Sequence, residues 1–262
     1  MAPTKLLDTH IHLWPATAAS SAAYSWMTPG HFLATRHGIA EYKAATAGGR
    51  GRSDGSGFGF VYVETDRRLA DAVPEVGSGE DGEGKDVEGK LRVWAQEPLS
   101  ELAFLRRIVE GTPAEGGADG FTHAESSLLK GMVIYAPFHL SASLFAVYLR
   151  LAREGLGEKA WSKVVGFRYL LQGRGVQSVR RLVQSDDFVS NLRNIEGKVF
   201  DVGVDCHRDG LEVLGCVVEL VQRVERAEGG VQPRFVLSTS IYIHPPPSCD
   251  FRSRRPTRQL AN

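Results

Sequence analysis

The chain contains 262 residues, of which 42% are hydrophobic and 24% are charged, and its 31 basic and 31 acidic residues leave no formal net charge. This composition excludes a wholly disordered chain, and the length excludes a small domain that needs disulfide bonds to fold. The balanced charge argues against nucleic acid as the main partner, because phosphate binding requires a clustered excess of basic residues.

The three cysteines predict neither a disulfide framework nor a structural zinc site. Cys206, Cys216 and Cys249 make an odd number and show no CxxC spacing. We therefore expect a reducing compartment and a cytoplasmic protein. The first residues lack the apolar core of a signal peptide, and no stretch reaches the roughly 18 apolar residues of a membrane span, so we expect no membrane association.

Six short apolar runs predict six β-strands. Most of these runs are apolar on both faces, which is typical of a parallel sheet that is covered on both sides. The runs comprise residues 6–12, 58–65, 131–136, 164–170, 199–205 and 234–237.

Helical patterns separate these runs and predict an α/β fold built from βα units. Apolar residues recur at spacings of three and four over residues 94–111, 141–153 and 209–228. Ser141 is placed to cap the second of these helices. Three Gly-rich segments are interpreted as mobile surface loops, namely residues 47–57, 75–90 and 111–119.

The clearest chemical signal is a pair of histidines at the end of the first predicted strand. His10 and His12 are two residues apart, so on a strand their side chains point to the same face. Two imidazoles in this arrangement suit a metal ion. The alternative is that they flank Ile11 without any joint role.

Five motifs follow one another in chain order at the ends of predicted strands. They are DTHIHLWP (8–15), FVYVETD (60–66), KGMVIYAPFH (130–139), VVGFRYLLQG (164–173) and VFDVGVDCHRDGLEVL (199–214). This set resembles the amidohydrolase superfamily, in particular its amidohydrolase-related (family 2) branch. That branch includes lactonases acting on sugar lactones or 2-pyrone-4,6-dicarboxylate, and metal-dependent decarboxylases. Within it, the chain is most similar to L-rhamnono-γ-lactonase-like proteins.

The resemblance implies a (β/α)8 TIM-type barrel with its site at the C-terminal ends of the strands. It carries His10 and His12 over as the metal-binding pair of strand 1. His207 carries over as the histidine of strand 5, with a role in metal binding and catalysis. The implied cofactor is a divalent metal, with Zn²⁺ as the expected ion, although some lactonases of this family work without a tightly held metal.

Arg168 and Glu64 are the other predicted catalytic residues. Arg168 lies inside an apolar run, where a buried cation needs an anionic partner. It could clamp a substrate carboxylate or lactone carbonyl, or pair with an acidic residue of a neighbouring strand. Glu64 ends the second run and could orient a ligand, bind substrate hydroxyls or pair with Arg67 or Arg68.

Further residues near the strand ends allow either a site role or a packing role. His139 could face the pocket, but a role as cap of the following helix is preferred. Asp205 could orient a nearby histidine or simply end its strand. Trp14, Trp26 and His31 could wall the pocket, with ordinary loop packing favoured for each.

The resemblance stops at Leu237. The family's strand 6 histidine and strand 8 aspartate have no counterpart, and residues 238–262 are rich in proline and arginine without a regular period. We therefore predict an incomplete, C-terminally truncated barrel over residues 1–237, with about six recognisable strands where a full barrel has eight. An irregular, non-homologous tail is predicted over residues 238–262.

The expected activity is hydrolysis of a lactone, and the truncated form could lack it. The expected partner is a small-molecule substrate, either a lactone or a carboxylic acid. One alternative is a metal-dependent decarboxylase on the same barrel. Another is a non-catalytic remnant that pairs with a full-length copy through its open edges, so a homo-oligomer is left open.

Overall fold

Six parallel strands form one sheet that curls into a half-barrel. The computed structural model describes residues 6–47, 58–71, 73, 84–195, 197–205, 209–227 and 232–239. Within these ranges the strands lie side by side in chain order, and every neighbouring pair is parallel. They are β1 (Leu6–Ile11), β2 (Phe58–Val63), β3 (Leu129–Tyr135), β4 (Val164–Leu170), β5 (Val199–Val204) and β6 (Arg234–Thr239). The predicted α/β fold with a parallel sheet is confirmed.

Helices connect the strands and cover the convex side of the sheet. They are α1 (Ile39–Thr46), α2 (Gly84–Trp94), α3 (Gln96–Glu110), α4 (Ala142–Trp161), α5 (Val176–Gln184), α6 (Asp186–Arg193) and α7 (Leu211–Arg226). This alternation follows from the sequence, because parallel strands require crossover connections and helices are the usual ones. In the described ranges, no helix is both long enough and apolar enough to cross a membrane.

Three local predictions are wrong. The segment 75–90 was predicted to be a loop, but α2 begins inside it at Gly84 and buries Leu91 and Trp94, three residues apart on one face. The glycines and charged residues of the segment dominate its composition, so the short apolar stripe is not apparent from the sequence. Ser141 does precede α4, but its side chain makes no capping hydrogen bond. The same helix continues to Trp161, eight residues beyond the predicted end at 153.

Side chains of β4 and β5 alternate between the helix-covered face and the concave face. Phe167 and Phe200 are register partners, and their ring centroids lie 6.4 and 5.1 Å from that of Phe138 in the core under the helices. The next register pair is Arg168 and Asp201. Because successive side chains on a strand point to opposite faces, these two charged residues lie on the concave face.

The two outer strands expose apolar side chains at the ends of the half-barrel. On β1, Leu6 and Leu7 are 56% and 49% exposed, and on β6, Val236 and Leu237 are 44% and 50% exposed. Both outer strands, β1 and β6, have one edge without a neighbouring strand in the described part of the chain. Strand β6 continues through residue 239, two residues beyond the predicted boundary at Leu237. Residues 240–262, which make up most of the predicted tail, lie outside the described residues.

A buried carboxylate joins α3 to the end of β2. Glu101 of α3 is 1% exposed and accepts hydrogen bonds from the Tyr62 hydroxyl at 2.6 Å and from the Thr65 hydroxyl and amide at 2.7 and 3.2 Å. The Arg67 Nε lies 3.8 Å from the same carboxylate. A buried charge is tolerated when it is hydrogen-bonded and paired, and Glu101 meets both conditions.

Replacing Glu101 with alanine removes the acceptor of these hydrogen bonds and leaves the buried Arg67 without this carboxylate. We expect the free energy of unfolding to fall by about 3 kcal/mol, as measured by urea denaturation. The matched control is Glu110→Ala at the end of the same helix, where the carboxylate pairs with Arg106 at the surface. The control should change stability by less than about 0.5 kcal/mol, and equal losses in the two variants would contradict the assignment.

Candidate functional site

A buried ionic cluster lies on the concave face of the half-barrel. The Arg168 Nε is 3.6 Å from Glu64 Oε1 and 4.0 Å from Asp201 Oδ1, and the three residues are 1–3% exposed. Glu64 directly follows β2, whereas Arg168 lies on β4, so β3 separates their strands. The two long side chains reach across β3 on the concave face of the curled sheet. The predicted pairing of Arg168 with acidic residues from other strands is observed.

The cluster leaves hydrogen-bonding capacity unused. Among the described residues, Arg168 Nε and Asp201 Oδ1 have no hydrogen-bond partner although both atoms are buried. The other Asp201 oxygen accepts from the Ser238 hydroxyl at 3.0 Å. Gly203 of β5 leaves room for the guanidinium, because a Cβ at this position would lie 2.9 Å from Arg168 Nη2. Arg168 Nε and Asp201 Oδ1 therefore attract each other as charges at 4.0 Å, but each has hydrogen-bonding capacity left for a ligand.

The Glu64 side chain is held at the end of β2 by a hydrogen bond from a backbone amide two residues later in the chain. Its Oε2 accepts a hydrogen bond at 2.7 Å from the amide of Asp66, which has the left-handed φ of 56° that Asp tolerates better than most residues. Burial raises the pKa of the Glu64 carboxyl to about 8, although the charge of Arg168 acts in the opposite direction. The arginine that approaches the Glu64 carboxylate is Arg168, at 3.6 Å. Arg67 instead lies 3.3 Å from Glu97.

His10 and His12 lie next to this cluster and converge on each other. Their Nε2 atoms are 3.3 Å apart, and the His12 Nδ1 lies 2.9 Å from the carbonyl oxygen of Val63. A carbonyl can only accept, so this Nδ1 carries the proton and the His12 Nε2 presents a lone pair. A metal-binding imidazole is usually oriented by a hydrogen bond from its other ring nitrogen, often to a backbone carbonyl.

The spacing of the two nitrogens fits a metal ion. Two Zn–N bonds of about 2.0–2.1 Å at a tetrahedral angle place their nitrogens about 3.4 Å apart, close to the 3.3 Å observed. The third predicted ligand, His207, lies outside the described residues. No group of three or more potential ligands occurs within the ranges given above. The structure thus brings together two members of the predicted ligand set.

Electrostatics connect the histidine pair to the ionic cluster. Desolvation and the nearby charge of Arg168 lower the pKa of His12 to about 4, and the same two causes lower the pKa of His10. The negative charges of Asp201 and Asp8 act on His10 in the opposite direction. Both imidazoles are therefore neutral at pH 7, which is the form that binds metal ions.

Asp201 is the member of the site that the sequence interpretation missed. It stands in the apolar run VFDVGV of β5, as Arg168 stands in the apolar run VVGFRYL of β4. The reasoning used for Arg168 therefore applies equally, since a charge inside a buried strand needs a partner.

The aromatic residues after β1 pack against one another. Trp14 is buried, its Nε1 donates to the carbonyl of Thr35 at 2.7 Å, and its ring centroid lies 5.8 Å from that of Trp26. The ring of Trp26 in turn lies 5.7 Å from that of His31. This is the packing role that the sequence favoured for these residues.

His139 follows β3 and lies apart from the histidine pair, on the helix-covered side. Its ring centroid is 5.4 Å from that of Tyr169 and 6.0 Å from that of Trp94. Its Nδ1 is buried without a hydrogen-bond partner in the described ranges, so the preferred role as a helix cap is wrong for this atom. Desolvation and the charge of Arg174 lower the pKa of His139 to about 4.

Comparison of the chain with family models, with curated proteins and with solved structures finds no significant match. The family resemblance of the five motifs therefore stays a prediction.

The low pKa of His139 predicts a loss of stability in acid. The folded state keeps His139 neutral down to about pH 4, whereas the unfolded chain takes up a proton near pH 6.5, so stability is lost as the pH falls between these values. Relative to His139→Phe, the wild type should lose about 2 kcal/mol of unfolding free energy between pH 7 and pH 4.5. Urea denaturation across this range measures the difference, and parallel profiles would contradict it.

Proposed function

We propose that the protein is a hydrolase of the amidohydrolase-related kind that acts on a lactone or a similar cyclic ester. The observation that carries the proposal is the buried Arg168 Nε, a donor without a partner in the described residues, beside two convergent histidines. The location on the concave face, near the C-terminal ends of parallel strands, is where barrel enzymes place their sites. The curled sheet of six strands supports an incomplete (β/α)8 barrel.

Arg168 is the proposed electrophilic group. A bound ester carbonyl would supply the acceptor that its Nε lacks, and the negative charge that develops on this oxygen would strengthen the hydrogen bond. The guanidinium is already desolvated and held by Glu64 and Asp201, so little reorganisation is needed. A carboxylated substrate would use the same cation as its anchor.

Asp201 and Glu64 supply the two complementary proton-transfer functions. The unpaired Asp201 Oδ1 is available to accept a proton from the attacking water. Burial raises the pKa of the Glu64 carboxyl, which favours proton uptake by this group, and the proton could be donated to the leaving alkoxide when the ester bond breaks.

His10 and His12 are the proposed holders of a divalent metal, with Zn²⁺ as the expected ion and His207 as the further ligand. Such an ion supplies Lewis-acid polarisation of the ester carbonyl and a lower pKa for water. The chain's own contribution is to present two neutral imidazoles at the required spacing, one of them oriented by the Val63 carbonyl.

The exposed edges favour a second candidate, a non-catalytic chain that pairs with a longer copy of itself. The apolar residues of β1 and β6 that this would cover are about half exposed. One experiment distinguishes the two candidates, because turnover by the chain alone in a monomeric fraction excludes a purely non-catalytic role.

A decarboxylase on the same barrel would instead release carbon dioxide from aromatic carboxylic acids.

Metal binding is tested directly by equilibrium dialysis against Zn²⁺ at pH 7.5. We expect about one ion per chain, and the double substitution His10→Asn with His12→Asn should weaken binding at least about 100-fold. The control is His123→Gln, which removes an exposed histidine elsewhere in the chain. Equal affinity in the double variant and the control would exclude the histidine pair as the metal site.

Hydrolysis is tested with a panel of aldonolactones and carboxylated pyrone lactones in a pH-stat. We expect proton release with at least one substrate, and Arg168→Gln should lower kcat/KM at least about 100-fold. The control Arg180→Gln removes an exposed arginine of α5 and should leave kcat/KM unchanged. Circular dichroism confirms that both variants fold, and equal activity of folded Arg168→Gln would refute the role of Arg168.

A further inference from the structure

The strand that carries the histidine pair contains a β-bulge just before the pair. Asp8 of β1 is the register partner of Phe60 on β2. The next register pair joins Ile11 to Tyr62, so β1 advances by three residues while β2 advances by two. An extra residue of this kind bends the strand locally, and bulges beside functional sites commonly redirect a side chain.

The bulge allows Asp8 and His10 to point to opposite faces of the sheet. Phe60 is fully buried and the Tyr62 hydroxyl bonds to α3, so both residues lie on the helix-covered side. Asp8, as the partner of Phe60, lies on that side as well. His10 instead faces the concave side, where its Nε2 lies 3.3 Å from that of His12. Residues two apart on a regular strand share a face, so the extra residue is what separates these two side chains.

The Asp8 carboxylate uses both of its oxygens at the bulge. Oδ1 accepts a hydrogen bond from the backbone amide of His10 at 3.3 Å. Oδ2 accepts one from the hydroxyl of Tyr42 on α1 at 2.8 Å. A bulge disrupts the local ladder of backbone hydrogen bonds, and here a side chain supplies the acceptor for the amide of the histidine. The contact therefore constrains the backbone at the point from which the His10 ring projects.

Tyr42 fixes the other end of this connection. Its ring stacks on that of Phe58, with centroids 5.5 Å apart, and meets that of Phe60 edge-on at 5.7 Å. Both phenylalanines belong to β2, the strand whose last residue orients His12 through its carbonyl. The two histidines are therefore fixed relative to the same strand, one through its ring and the other through its backbone.

We propose that Asp8 is a positioning residue for the metal site, acting through the backbone of His10 and held in turn by Tyr42. The inference rests on the proposed function, because it takes the histidine pair as the holder of a metal ion. Asp8 lies on the opposite face of the sheet and would not touch the ion. Two imidazoles share an ion only when they are held within roughly 0.5 Å of the required geometry, so a less constrained His10 backbone costs affinity.

Isothermal titration calorimetry with Zn²⁺ at pH 7.5 tests the proposal. Asp8→Ala removes both acceptors and should weaken Zn²⁺ binding about 10- to 100-fold. Asp8→Asn keeps an oxygen for the His10 amide and turns its own NH₂ group to the Tyr42 hydroxyl oxygen, so its affinity should stay within about threefold of the wild type. Tyr42→Phe keeps the stacked ring and loses only the hydroxyl, which should weaken binding about fivefold.

Two control variants remove similar hydrogen bonds elsewhere. The Asp119 carboxylate also accepts from a backbone amide, at 2.9 Å, and from an arginine side chain. The Tyr148 hydroxyl donates to the carbonyl of Tyr135 at 3.3 Å. Asp119→Ala and Tyr148→Phe should lower the free energy of unfolding and leave the Zn²⁺ affinity unchanged. An equal loss of affinity in Asp119→Ala and Asp8→Ala would overturn the proposal.

A second readout needs no metal and separates this inference from the proposed function. Hydrogen exchange of the His10 amide, followed by NMR in the metal-free protein, should be slow in the wild type and in Asp8→Asn and at least about tenfold faster in Asp8→Ala. Zn²⁺ binding by a wild type whose His10 amide is unprotected, or binding by Asp8→Asn as weak as that by Asp8→Ala, would refute the role of Asp8 alone. A protected amide in a wild type that binds no Zn²⁺ would refute the metal site, and with it any role of Asp8 in metal binding.

Discussion

The buried guanidinium of Arg168 imposes the constraint on which the concave face depends. A cation that is 3% exposed is stable only with carboxylates close by, and its two partners come from β5 and from the end of β2. Strand β5 is its neighbour in the sheet, but β2 is separated from it by β3. The contact with Glu64 therefore reaches across β3 on the concave face of the sheet, the face on which His10 and His12 also meet.

The two buried charge clusters of this protein differ in how completely they are satisfied. Glu101 accepts three hydrogen bonds from the end of β2, and it joins that segment to α3. Arg168 and Asp201 lie 4.0 Å apart with buried polar atoms that have no partner in the described residues. In the Glu101 cluster the Arg67 Nε is the buried atom without a partner in the described residues, whereas the Arg168 cluster leaves both a donor and a carboxylate oxygen unused beside the histidine pair, and such atoms are available to a ligand. This difference is the physical reason for placing the chemistry at Arg168.

The alternation of side chains on β4 separates the ionic cluster from the core. Arg168 points into the half-barrel and Tyr169 points under the helices, so consecutive residues lie on opposite faces of the same strand. The concave face holds carboxyl groups and neutral imidazoles beside one cation, whereas aromatic rings pack under the helices.

The sequence alone predicted the positions of the six strands and their parallel pairing, because these depend on local patterns. Apolar runs separated by helical periods specify βα units, and histidines two residues apart on a strand necessarily share a face. The buried position of Arg168 within VVGFRYL already implied an acidic partner. The α2 segment was misjudged because this short helix carries few apolar residues within a run of glycines and charges.

Only the tertiary structure decided which carboxylates meet Arg168 and which polar atoms stay unpaired. Glu64 and Arg168 are 104 residues apart, and nothing in their local sequence specifies how strongly the sheet between them curls. The same holds for the 3.3 Å spacing of the histidine nitrogens. Each arises from packing between segments distant in the chain, whereas sequence periodicity reports only on neighbours along it.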